Sequence, residues 1–320
     1  MISLEALYLF CRFSHFVIAM LMFGLNLFIV MLASGHFSTL MRERLNVGVS
    51  ISTVLALITS IVWFITQVGL MGDGWHDVYE PDIWLAVLET VFGQVWKWQL
   101  LIAALAACGL FLSHTQARYF LLLGCSVILL SSHAFIGHAA MYEGKIRLLF
   151  QANQILHLLS AGYWFGGLWP FLLCLQFLRL EKASEVNIHS NHVHTGKADS
   201  CGNITVDLYA ESIAAMRQFS FFGHFAVALV IVTGIVSTVI LLPGWPTFSR
   251  TLSEYQSMLW LKIVLVIGMV LLALINRYIL VPNLRQKRCY QLLIINSWLE
   301  IILGASALLC VAIFATQPPA

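Results

Sequence analysis

Charge is what this chain is shortest of. Only 10% of its 320 residues are Asp, Glu, Lys or Arg, while 60% are hydrophobic. Soluble domains carry about 25% charged residues, so a soluble fold is excluded. Paired cysteines are also missing. The seven cysteines include no C-x-x-C. Cys11, Cys108, Cys125, Cys174 and Cys310 fall in apolar runs, where cysteine reads as a small buried hydrophobe and gives no disulfide framework. There is no G-x-x-x-x-G-K-[ST] phosphate loop and no D-K-T-G motif, so a transporter built on this chain would not itself use ATP. No H-E-x-x-H or Ser-His-Asp arrangement stands out, and the chain is read as a carrier rather than an enzyme. No nucleic-acid partner is expected.

What the chain has instead is long apolar runs. A membrane-spanning helix needs about 20 apolar residues. Eight such runs lie at roughly 7–33, 47–70, 93–113, 119–138, 150–178, 218–241, 257–281 and 291–315. The fold class is therefore an all-α membrane bundle of eight spans, one domain over residues 1–320. Five spans fall in 1–178, a long polar connection in 179–217, and three spans in 218–320. Met1 to Glu5 hold no Lys or Arg and the first run is long, so it reads as a retained helix rather than a cleaved leader.

The few charges are unevenly spread. With the N-terminus outside, eleven basic residues fall in inner loops (Arg42, Arg44, Arg118, Arg179, Lys182, Lys197, Arg217, Arg277, Arg285, Lys287 and Arg288). Four fall outside (Lys97, Lys145, Arg147 and Arg250). That asymmetry predicts both termini outside. Acidic residues gather in one outer segment, Met71 to Glu89, part of which is expected to lie along the membrane surface.

Four histidines, His15, His133, His138 and His157, read at nearly the same depth near the outer side. An ionisable group in hydrocarbon is costly and marks a functional-site hypothesis. At about 1.5 Å of rise per residue, His15 and His157 lie roughly 11 Å down from the outer ends of the first and fifth spans. His133 lies near the outer end of the fourth span and His138 at its rim. A lone intramembrane histidine often only completes an interhelical hydrogen bond, but four at one depth favour a shared site. Imidazole suits copper, zinc and iron, and thioether sulfur favours Cu(I). The set with Met22 or Met141 is read as a copper site, for Cu(I) or Cu(II). The competing reading is a b-type haem held by two of the histidines, with quinol as electron donor.

Polar stripes support the first and fifth spans as site helices. Arg12, His15, Met22 and Asn26 share one helical face, as do Asn153, His157, Ser160 and Trp164. Lys262 and Glu300, in the last two spans, are expected to pair or to join a hydrogen-bonded network, with Glu300 read as a fixed structural partner or a proton relay. The run His189–Ser190–Asn191–His192–Val193–His194, with Cys201, reads as a flexible inner linker with weak metal affinity or none. Aligning His15–Gly24 with His157–Gly166 gives four identities in ten positions: His15/His157, Ala19/Ala161, Phe23/Phe165 and Gly24/Gly166. This is either a parallel 4+4 duplication or chance matching of apolar sequence.

The order and spacing of these residues resemble the copper-resistance protein D (CopD) family of bacterial inner-membrane proteins. The residues that carry the resemblance are Arg12-x-x-His15, Thr90-x-Phe92–Gly93-x-x-Trp96, Gly137–His138–Ala139 and His157–Leu158–Leu159–Ser160–Ala161–Gly162–Tyr163–Trp164–Phe165–Gly166–Gly167–Leu168. In the second half they are Arg217–Gln218–Phe219–Ser220, Tyr255 with Leu259 and Lys262, Asn276–Arg277, Glu300, Gly304 and Pro318–Pro319. Gln99 departs from the pattern, since a basic residue is expected there. The long His-rich connection is not carried over from the family. The resemblance implies copper handling across the inner membrane, usually proposed as uptake, often beside a periplasmic CopC-like copper-binding partner. A docking scaffold for such a partner, without transport, is the remaining alternative.

Overall fold

A computed structural model describes residues 3–137, 142–191, 200–241, 254–284 and 286–314, with side chains described outside 178–207, 254 and 314. Among the described residues the chain is helical, with no strand. The helices are α1 (Leu4–Leu27), α2 (Gly35–Met71), α3 (Pro81–Glu89), α4 (Val91–Gly109), α5 (Thr115–Ser132), α6 (Gly144–Asn191), α7 (Ser200–Leu241), α8 (Glu254–Ile275) and α9 (Lys287–Phe314). Eight are long and apolar enough to cross a membrane; the exception is α3. They match the eight apolar runs of the sequence to within a turn or two at most ends.

Helix ends are tied down by local caps despite the scarcity of charge. Ser3 accepts from Ala6 N–H to start α1. Thr90 ends α3 and starts α4 through a bond from Gly93 N–H, so one residue makes the corner. His114 Nδ1 accepts from Ala117 N–H at the start of α5. The start of α2 borrows its cap from another helix. Glu211 of α7 accepts the Phe37 N–H at 2.7 Å, placing an anion where unpaired backbone N–H groups gather. Gly35 beside it has φ +55°, and a Cβ there would strike the Glu211 carboxylate.

The central pair is α1 and α6, the two most buried spans. They cross at Gly24 and Gly166. A Cβ on Gly24 would lie 2.2 Å from the Gly166 carbonyl carbon, and one on Gly166 would lie 2.1 Å from the Met20 carbonyl oxygen. Only glycine permits this approach. α2, α4 and α5 complete the N-terminal side; α7, α8 and α9 complete the other. Large buried apolar residues fill the end of the bundle that carries Arg42, Arg118, Arg217 and Arg277, hereafter the basic end; Phe28, Phe37, Met41, Leu122 and Phe219 are among them. A smaller aromatic cluster of Trp63, Phe64, Val87 and Trp96 sits toward the opposite, acidic end. There α3 packs Val87 inward, and Trp84 Nε1 donates to the Val78 carbonyl.

The polar connection expected over 179–217 is shorter than the sequence pattern suggests. α6 continues to Asn191 and α7 starts at Ser200. Hydropathy marks only the part of a helix in lipid, so these polar extensions carry no signal. His192 and His194 lie outside the described residues, as do the side chains of His189 and Cys201.

Candidate functional site

The structure brings His15 and His133 together. Their ring centroids are 5.1 Å apart with the planes tilted 41°. His15 is fully buried on α1, and His133 is buried in a single 3-10 turn that follows α5. That turn carries the ring off the axis of α5 and inward. Aromatic walls surround the pair. Trp63 lies 5.5 Å from His15 and 5.9 Å from His133, Trp96 lies 5.9 and 6.2 Å from them, and Phe16 lies 4.6 Å from His133.

Hydrogen bonding fixes the tautomer of both rings. His133 Nδ1 faces the carbonyls of Leu129 and Leu130, at 2.8 and 3.4 Å. A carbonyl only accepts, so Nδ1 carries a proton, which in the neutral ring leaves the lone pair on Nε2. That Nε2 is buried with no hydrogen-bond partner among the described residues. His15 Nδ1 lies 2.8 Å from Thr59 Oγ1. The Thr59 hydroxyl spends its own proton on the Leu55 carbonyl at 2.7 Å, so His15 Nδ1–H donates to Thr59. His15 Nε2 accepts from the Gln99 amide N–H at 2.9 Å. Gln99 is held in turn, because Ser132 Oγ bonds its Oε1.

His15 is therefore neutral, since its Nε2 accepts from Gln99, and both rings have Nδ1–H tied to oxygen. This is how metal-binding histidines are oriented, through partners of the far nitrogen. Two imidazole nitrogens can hold one copper at about 2 Å each once Gln99 withdraws its amide. A haem fits less well. Iron bound from both faces needs the imidazoles on opposite sides of a porphyrin, whereas these rings pack against each other with His15 Nε2 taken by Gln99.

His157 does not join them. Among the described residues no group of three or more His, Cys, Asp or Glu could hold a metal, so His15, His133 and His157 do not form the single centre expected from common depth. α6 turns His157 toward α7, where its Nδ1 lies 2.8 Å from Thr233 Oγ1. The Thr233 hydroxyl bonds back to the Leu229 carbonyl. The Lys262 ammonium lies within electrostatic range of the His157 ring. His138 and Met141 lie outside the described residues.

The remaining expected residues separate into other roles. Met22 is fully buried in the core at the basic end, away from the pair, and Asn26 Nδ2 donates back to its carbonyl at 2.7 Å. Arg12 sits 6.0 Å from the Trp63 ring at the edge of the aromatic walls. Asn153 Nδ2 ties α6 to α7 through the Thr233 carbonyl and Ser237 Oγ, at 3.0 and 2.9 Å. The expected pairing of Lys262 with Glu300 does not form. Both Glu300 oxygens accept from other groups, Trp164 Nε1 at 3.1 Å and Asn276 Nδ2 at 2.6 Å. Lys262 instead lies beside Cys310, ten residues further along α9, or about 15 Å.

Thr59, Gln99, Ser132, Trp63 and Trp96 were missed as site residues. Neutral side chains in apolar helices stand out little: Trp96 closes a motif of the resemblance and Gln99 departs from a basic residue, but nothing in the sequence marks Thr59, Trp63 or Ser132.

The chain has relatives of known family. Residues 1–148 match the family model described as copper resistance protein D-like, N-terminal domain, and residues 213–314 match copper resistance protein D. One relative, inner membrane protein YebZ of Escherichia coli (strain K12), is 34% identical over 316 residues, covering 96% of this chain and 97% of the relative. Another, copper resistance protein D of Pseudomonas syringae pv. tomato, is 26% identical over 282 residues, covering 85% of this chain and 81% of the relative. His15 and His133, with Thr59, Trp63, Trp96 and Gln99 around them, fall within the first matched segment, and Glu300 and Asn276 fall within the second. With both matched segments in place and similarity running nearly end to end, this chain belongs to the copper resistance protein D family.

Proposed function

We propose that the chain carries copper across the bacterial inner membrane, and that His15 and His133 are the copper ligands on its way in. One observation carries the reading: two buried imidazoles with ring centroids 5.1 Å apart, each with its Nδ1–H tied to an oxygen acceptor, and with His133 Nε2 left without a partner among the described residues. An unpaired buried nitrogen costs about 1–3 kcal/mol, and a bound copper would remove that cost at His133. The names of the relatives support copper as cargo and the inner membrane as the location.

The basic asymmetry supports both termini on the periplasmic side. On that topology the histidine pair lies toward the periplasm, near the acidic segment Met71–Glu89, which would concentrate cations. Uptake is the direction this supports, with a periplasmic CopC-like protein as donor. The Gly24–Gly166 crossing and the matched His–Thr bonds in the two halves support a duplicated four-helix origin. The test is copper uptake into vesicles containing the full-length protein. Wild type should load the vesicles, while His15→Ala and His133→Ala should not. Copper bound by the protein without any uptake would leave it a docking scaffold and overturn the transport reading.

A further inference from the structure

A cavity of about 1490 Å³ opens between α7 and α8 and reaches from the basic end into the middle of the bundle. Its apolar walls include Leu168, Val227, Ile231 and Val270. Glu300 lines it from α9, thirteen residues beyond Lys287 and so about 20 Å from the basic end. The carboxylate is 2% exposed. A carboxyl so deep in a membrane protein is costly unless it has a use, and the copper pair does not employ it.

Its surroundings are built for a change of hydrogen bonding. Glu300 accepts from Trp164 of α6 and from Asn276, and Asn276 Oδ1 accepts from Asn296 Nδ2 at 2.9 Å. Asn276 begins a π-helical turn, Asn276–Leu280, that continues α8. Such wide turns recur at functional sites. As a carboxylate, Glu300 can only accept. With a proton one oxygen becomes a donor and a poorer acceptor, so the bond that this oxygen receives from Trp164 or Asn276 weakens.

We propose that Glu300 is a proton-binding site loaded from the basic end through this cleft. The titratable groups lining the cavity are Tyr209, Arg217 and His224 from α7, Arg277 from the π turn after α8, and Lys287 and Tyr290 from α9. α6 contributes Trp164 and no titratable group to the lining, and α1 meets α9 near Ile301 through apolar residues. The charged heads of Arg217, Arg277 and Lys287 keep the mouth hydrated and repel metal cations from it. Protonation weakens the Asn276 or Trp164 bond and so loosens α9 from the π turn after α8 or from α6. This inference stands whether or not the histidine pair binds copper.

The test uses the full-length protein in oriented vesicles with dicyclohexylcarbodiimide, an apolar reagent that attacks protonated carboxyls. Adducts are located by peptide mass spectrometry. The expected result is an adduct at Glu300 whose rate falls about tenfold per pH unit at high pH on the basic side and ignores the pH on the other side. Glu300→Gln should lose that adduct while keeping the fold. The wild-type experiment decides the matter if that variant does not assemble. No adduct at Glu300, a rate that ignores pH, a rate that follows the other side, or protection by sodium at fixed pH would each overturn the proposal.

Discussion

His15 in the first half and His157 in the second use one nitrogen alike and the other differently. Each directs Nδ1 at a threonine on the following long helix, at 2.8 Å in both cases, and each threonine bonds back to the carbonyl four residues earlier. The third member differs. Gln99 stands eight residues into α4 and touches His15, while Lys262 stands eight residues into α8 and acts on His157 through its charge. An amide can rotate away from an incoming cation. An ammonium already fills that role and repels a second positive charge. On the proposed copper reading the first half-site is the one open to metal, and the second holds the Lys262 amine in its place.

The change with the largest expected effect is Gln99→Lys, which gives the first half-site the residue of the second. Two unit charges about 4 Å apart at an effective dielectric of 20 repel by about 4 kcal/mol. Copper affinity, measured by competition with a Cu(I) chelator, should fall about a thousandfold. Retention of tight binding would mean that Gln99 does not face the metal. Thr59→Val removes the acceptor that orients His15. Loss of such a supporting partner costs metal affinity about 10–100-fold. Thr233→Val, its counterpart, should leave copper affinity unchanged, and equal losses in both would erase the distinction between the halves.

The crossing of the halves is a matter of stability. Gly166→Ala puts a methyl 2.1 Å from the Met20 carbonyl oxygen. Overpacking of that kind costs about 1–3 kcal/mol, so the thermal midpoint in detergent should drop, whereas Gly223→Ala, in open space on α7, should be much milder. The smallest effect is expected from Lys262→Gln and His157→Ala. Copper affinity at the first site should stay within about twofold, since sites without shared partners behave independently.

Much of this was legible in the sequence. Eight spans followed from apolar run length, which hydrocarbon thickness dictates directly. The meeting of His15 and His133 followed from depth. His157 shows where depth stops being informative, because residues at one level still point to different sides of their helices. A count along α6 gives its height but not its rotation toward α7. Lys262 and Glu300 failed as a pair for the complementary reason. Both lie in apolar runs, but run position fixes their levels on antiparallel helices only loosely, and Cys310 rather than Glu300 comes opposite Lys262. The neutral partners Thr59, Gln99 and Ser132 gave no periodic signal, yet they fix the chemistry of the pair.

The most direct test of copper ligation is X-ray absorption at the copper edge on loaded full-length protein, wild type and the His15→Ala/His133→Ala double variant. Wild type should bind one copper per chain and show the scattering of two imidazoles with nitrogen at about 2 Å. The double variant should bind none while keeping its helical content. Copper ligated by sulfur alone in the wild type, or the same imidazole signal in the double variant, would contradict the assignment of this pair.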